Sequence, residues 1–117
     1  MKSIFEFTSI FIHSGYVDMR KSINGLSQIV EMASMGNLME PHLFVFSGKS
    51  RRTIKILYFD RSGFCLWQKR LEQDKFPWPK PLDVDEVIII TASDLEFILD
   101  GVNIWSRFKP VHFENII

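Results

Sequence analysis

Sulfur chemistry is almost absent from this sequence. Cys65 is the one cysteine, which excludes an internal disulfide and a thiolate metal cluster. It lies between Phe64 and Leu66 in a strand-like run and reads as a buried, inert thiol rather than a nucleophile. No stretch of about 18 apolar residues occurs, so no segment reads as a membrane span. Neither common glycine-rich phosphate motif is present. Ser47-Gly48-Lys49-Ser50 has the ending of one, but it lacks the upstream glycine and falls in a turn between strands. HExxH and CxxC are missing too. His13, His42 and His112 have no partner at metal-ligand spacing and read as structural or surface residues. Met1-Lys2-Ser3-Ile4-Phe5-Glu6 carries an early acid and no small-residue cleavage site, unlike a signal peptide. These absences lead us to expect a cytoplasmic protein with no cofactor, no bound metal, no membrane partner and no small-molecule substrate.

Carboxylates for metal-dependent nuclease chemistry would have to come from Asp18, Asp60, Asp83, Asp85 and Glu86. Asp18 is better placed as a helix N-cap and Asp60 as the first residue of a turn. The acids before Val87 read as a solvated face. No catalytic residue is therefore assigned, and the protein is expected not to be an enzyme.

What is abundant is aromatic and β-branched sequence. Eleven Phe and three Trp in 117 residues suit one domain, residues 1–117, with a core rich in rings. The run from Leu43 to Pro79 organises the rest. Leu43–Phe46, Thr53–Phe59 and Phe64–Leu71 are three strands, separated by Ser47-Gly48 and by Asp60-Arg61-Ser62-Gly63. In the second strand Ile54, Ile56 and Tyr58 share one face, and Thr53, Lys55 and Leu57 the other. Upstream, Ile4–Ile12 alternates like a further strand. Asp18 then caps a helix whose apolar face is Met19, Ile23, Leu26, Val30 and Ala33, ended by Gly36-Asn37 and Pro41. Phe76-Pro77-Trp78-Pro79-Lys80-Pro81 must be extended and should lie across the sheet. Val87–Ile90 reads as a buried strand. Ser93-Asp94-Leu95-Glu96 has the form of a capping box for a last helix with Leu95, Ile98, Leu99 and Val102 inside. The tail from Asn103 to Ile117 shows no period. The expected fold is α+β: an antiparallel sheet of about four or five strands with two helices packed on it. Its core should contain Phe44, Phe46, Ile56, Leu66, Ile23, Leu26, Val30, Ile89 and Leu99.

Fourteen basic residues balance fourteen acidic ones, yet they are not mixed. Lys49 to Lys80 holds nine basic residues against three acidic ones, a local charge of about +6. Charged hairpins can simply protect sheet edges. Here Arg51-Arg52 sit at a turn tip, and Trp67, Phe76 and Trp78 interleave with Lys69, Arg70 and Lys75, the mixture of charge and rings that nucleic-acid surfaces use. The expected DNA-contacting residues are Arg20, Lys21, Lys49, Arg51, Arg52, Lys55, Arg61, Lys69 and Arg70, with Trp78 to stack on a base.

Asp18-Met19-Arg20-Lys21-Ser22-Ile23-Asn24-Gly25-Leu26 resembles the TDMRKSxDGL segment of a bacterial family, the small TnpB-type accessory protein of the insertion sequence 66 family. Leu43–Phe46, Lys55–Asp60, Gly63–Trp67, Lys69–Glu72, Phe76–Pro79, Thr91–Leu95 and Leu99–Gly101 are similar to that family's later motifs, so the resemblance spans Ile10 to Val102. Val17 departs from it, as do the N-terminal strand and the tail after Trp105. The resemblance implies an element-encoded protein that works beside a separate transposase in DNA transposition. It implies nothing of the RNA-guided nuclease that shares the TnpB name, and it brings no catalytic residues. Two partners follow: DNA and, in the alternative reading, the transposase, docked on Trp67, Phe76, Trp78 and the acidic C-terminal half.

Overall fold

The structure is a computed structural model and describes residues 3–80 and 86–106. Asp83, Asp85, His112 and the tail beyond residue 106 lie outside the described residues.

The strand His42–Ser47 (β2) is buried at every position. Its apolar residues cannot face water on either side, so it must sit in the middle of a sheet covered on both faces. Thr53–Asp60 (β3) and Gly63–Arg70 (β4) follow it as the expected antiparallel meander, with Val45 opposite Ile56 and Leu57 opposite Leu66. Ser9–His13 (β1) lies on the other side of β2, and Val87–Ile90 (β5) closes the sheet in the order β4-β3-β2-β1-β5. One pairing differs from a purely antiparallel sheet. β1 and β2 are parallel. The helix Ile23–Met32 (α1) lies between them in sequence and carries the chain back to the end where β1 began, as a parallel pair requires.

Alternation along the strands divides the core. Leu43, Val45, Ile54, Ile56 and Tyr58 face one side, where Phe76, Trp78 and the second helix, Ala92–Leu99 (α2), cover them through Leu95 and Ile98. Phe44, Phe46 and Leu57 face the other, beneath Leu26 and Val30 of α1. The α+β expectation holds, with one helix on each face.

Most of the expected core is buried or packed against it: Phe44, Phe46, Ile56, Leu26 and Val30 are inaccessible, and Leu66, Ile23 and Leu99 are half-buried at its margin. Ile89 is not. It is 64% exposed, because β5 is an edge strand and α1 packs over β3 and β4 instead. Three boundaries also move. Ile4–Glu6 is a turn of 3₁₀ helix closed by a Ser3/Glu6 capping box, so local capping wins over strand-like alternation and the strand starts only at Ser9. Asp18 does not cap α1; the N-cap is Ser22, with no side-chain bond. The capping box of α2 lies two residues earlier than expected: Thr91 Oγ1 accepts from the Asp94 amide at 3.1 Å, and Asp94 Oδ2 accepts from the Thr91 amide at 3.1 Å. Thr91 directly follows β5, so the helix begins with no spacer.

Leu26→Ala should destabilise the fold by about 2–5 kcal/mol, the usual cost of an aliphatic cavity under a helix. A denaturant melt reads it, and a change near zero would mean that α1 does not seal that face.

Candidate nucleic-acid interface

The strand register decides which basic residues meet. Ser47 pairs with Ile54, and Thr53 with Arg70, so the β2–β3 turn and the end of β4 share one end of the sheet. Two backbone bonds then fasten the chain beyond β4 to that turn. The Leu71 amide donates to the Arg52 carbonyl at 2.8 Å, and the Phe76 amide to the Arg51 carbonyl at 2.7 Å. Arg51 reaches this position with φ 59°, a left-handed conformation that costs a non-glycine residue about 1–2 kcal/mol. The segment before α1 docks on the same turn. The Val17 amide donates to the Ser47 carbonyl at 3.0 Å. A Cβ on Gly48 would lie 2.6 Å from Met19 Cγ, so any larger residue would push the Met19 side chain from its place on the turn.

This end therefore collects Arg20, Lys21, Lys49, Arg51, Arg52 and Arg70. Lys75 joins them, held by the bond from its neighbour Phe76. Position in the basic block hinted at Lys75, but its placement depends on those two backbone bonds, which no sequence pattern announces. Not every cation is equally available. Asp18 accepts from Arg20 Nη2 at 2.7 Å and from Arg20 Nε at 3.0 Å, as well as from its amide. Arg70 Nε donates to Glu72 at 3.0 Å. Arg52 Nη1 donates to the Glu72 carbonyl at 2.9 Å, which orders its guanidinium.

Four members of the sequence-derived set are placed differently. Lys55 is buried on the α1 side and extends its stem until Nζ donates to the Lys21 carbonyl at 2.7 Å. Lys69 Nζ donates to the Leu99 carbonyl at 3.0 Å. It supplies the positive charge that the last turn of α2 lacks, on a cleft of about 560 Å³ also lined by Asp74, Lys75 and Asp100. Arg61 is exposed, but its turn lies at the far end of β3, roughly 25 Å away at about 3.3 Å per residue. Trp78 is only 6% exposed, and its Nε1 donates to the Ser14 carbonyl at 3.1 Å. Its ring is core and is not presented for stacking. Phe76 is buried beside it, and Trp67 packs against the same cluster.

Cys65 is half-buried on the α2 face. Burial first, and then the Cys65 thiol beside it, push the Tyr58 phenol above its ordinary range. Among the described residues no group of three or more His, Cys, Asp or Glu could hold a metal ion, and no helix is long and apolar enough to cross a membrane.

A family model described as IS66 Orf2 like protein matches residues 8–109, the whole sheet and both helices. The chain belongs to the IS66 Orf2-like family. Orf2 is an accessory reading frame of that insertion sequence, not its transposase. Two curated relatives from Sinorhizobium fredii (strain NBRC 101917 / NGR234) align over most of both chains. "Uncharacterized protein y4hO" is 32% identical over 94 residues, covering 80% of each chain. "Uncharacterized protein y4jC" is 30% identical over 100 residues, covering 86% of this chain and 83% of its own. No solved structure matches. In this Orf2-like chain the Asp18–Leu26 motif of the sequence forms the segment on the β2–β3 turn and the start of α1.

Two outcomes follow for the Orf2-like chain. Trp78→Ala should cost about 3–5 kcal/mol in a thermal or denaturant melt; a variant as stable as the parent would contradict the burial. The Arg20 guanidinium, through its side-chain bonds first, holds Asp18 well below the usual carboxylate range. Asp18 thus adds stability that is present above its ordinary pKa and lost only as pH falls through the depressed value. Following the Asp18 carboxyl by NMR, Arg20→Ala should raise the midpoint toward the ordinary aspartate range without fully reaching it, because the amide of residue 20 still donates to Asp18 Oδ1. An unchanged midpoint would show that the pair does not form.

Proposed function

We propose that this protein is a non-enzymatic accessory factor of insertion-sequence transposition, working in the cytoplasm and binding DNA through the basic end of its sheet. One observation carries the reading: backbone bonds from Val17, Leu71 and Phe76 to the β2–β3 turn bring Lys21, Lys49, Arg51, Arg52 and Lys75, from separate parts of the chain, to one end of the sheet. Like charges held together at a rigid edge repel one another unless a polyanion covers them. Family membership supports DNA as that polyanion, because the element's business is DNA. Side chains at such spacing touch phosphates, so the contacts position the duplex or strand without reading sequence. Docking of the transposase, by contrast, called on Phe76 and Trp78, which the core occupies.

Affinity should fall steeply with salt, with a log–log slope of roughly −0.9 for each duplex phosphate neutralised. Replacing Arg51 and Arg52 together by Ala keeps the carbonyls that hold the 71–76 segment. It should weaken binding to all sequences alike and flatten the slope by up to about two. Arg61→Ala should leave the slope as it is. A flat salt response in the parent protein, joined to tight capture of the transposase, would replace DNA by protein as the partner.

A further inference from the structure

Trp78 and Phe76 are buried and Trp67 and Trp105 are half-buried against them, so among the described residues the strongly exposed ring nearest in sequence to the basic residues of this end is Tyr16. Tyr16 is 44% exposed. Its backbone is fixed on both sides: the Gly15 carbonyl lies 2.9 Å from His13 Nδ1, and the Val17 amide donates to the Ser47 carbonyl at 3.0 Å. Ser14 is tied in turn, its amide and its hydroxyl both donating to the Glu86 carbonyl at 2.9 Å, while its own carbonyl receives Trp78 Nε1. A ring on so constrained a stretch would ordinarily be turned inward to bury its area. Instead it stands at the surface, next to the residue that docks on the Ser47-Gly48 turn, with Lys49 one step along that turn and Arg20 and Lys21 just downstream. Among the described residues the other strongly exposed rings are Phe5 and Phe97. They sit on the 3₁₀ turn at the opposite end of the sheet and on α2.

We infer that Tyr16 is the base-stacking residue of this surface, and that the surface takes DNA with unpaired nucleotides: phosphates on the cations, one base against the phenol ring. This rests on the DNA-binding reading above and deepens it. Bases in an intact duplex are already stacked on each other and leave no face for a protein ring, whereas a single strand offers one at every nucleotide. Basic residues alone hold either form. An exposed ring on the segment that docks beside them adds affinity only for the unpaired form.

The test uses the full chain with a fluorescein-labelled oligothymidylate and a labelled duplex of matched length, in the parent protein, Tyr16→Ala and Tyr16→Phe. A thermal melt of each variant checks that folding is untouched, as expected for an exposed side chain. Tyr16→Ala should lose about 5- to 150-fold in affinity for the single strand, the range that removing one stacking ring produces. Tyr16→Phe should keep that affinity, and neither change should alter duplex binding. If Tyr16→Ala is silent on the single strand, or weakens strand and duplex equally, the stacking role is overturned while salt-dependent binding by the parent leaves the DNA reading standing. If the parent protein binds neither form, both readings fall together.

Discussion

The two amide-to-carbonyl bonds from Leu71 and Phe76 to Arg52 and Arg51 are the constraint on which the rest of the molecule turns. They make the chain leaving β4 fold back on the β2–β3 turn. That return delivers Phe76 and Trp78 onto the α2 face of the sheet, where Pro77 and Pro79 lack the amides a strand ladder needs and the segment serves as a lid over Val45, Ile56 and their neighbours. It also sets Lys75 beside Arg51. One pair of bonds thus closes a core and assembles a charged edge. Because the acceptors are main-chain carbonyls, the bonds themselves occupy neither arginine side chain: Arg52 is exposed and Arg51 half-buried.

The left-handed backbone at Arg51 belongs to the same arrangement. A glycine there would fold more easily, yet the position carries an arginine whose Nε is buried and without a partner among the described residues. Strain and an unsatisfied donor at one residue are the kind of local cost that a binding surface tolerates. Around it, Asp18 and Glu72 hold two of the neighbouring arginines in ion pairs. These pairs are exposed and contribute little to stability. Their effect is to fix guanidinium groups in place and to lower the charge density of the edge, so that only part of its formal charge faces a partner directly.

Much of this was legible in the sequence. The alternation of Ile54, Ile56 and Tyr58 against Lys55 and Leu57 announced the faces of β3 correctly, and the spacing of Leu26 and Val30 announced the buried face of α1. Failures cluster where two local signals competed or where position in the sheet mattered. Ile4–Ile12 alternates like a strand, but Ser3 and Glu6 close a turn first. Ser93 and Thr91 both begin a plausible capping box, and only contact with the end of β5 separates them. Ile89 lies in an apolar run and becomes exposed because nothing in its own neighbourhood says that β5 is an edge. Trp78 is the case most relevant to function. A tryptophan between prolines and lysines looks like a stacking platform in one dimension. In three dimensions the same spacing aims its ring at the core and its Nε1 at Ser14. Tyr16, between a turn and the Asp18 motif, gave no periodic signal at all.

The central claim is that the turn end of the sheet, and not the basic block as a whole, is the surface that meets DNA. Backbone amide chemical shifts recorded during titration with an oligonucleotide address this directly. The account predicts that the amides of Tyr16 to Lys21, Gly48 to Arg52 and Lys75 move together and saturate at one stoichiometry, while those of Asp60 to Gly63, around the equally basic Arg61, stay where they are. Shifts centred on the Asp60–Gly63 turn, or scattered evenly over all the lysines and arginines, would contradict it.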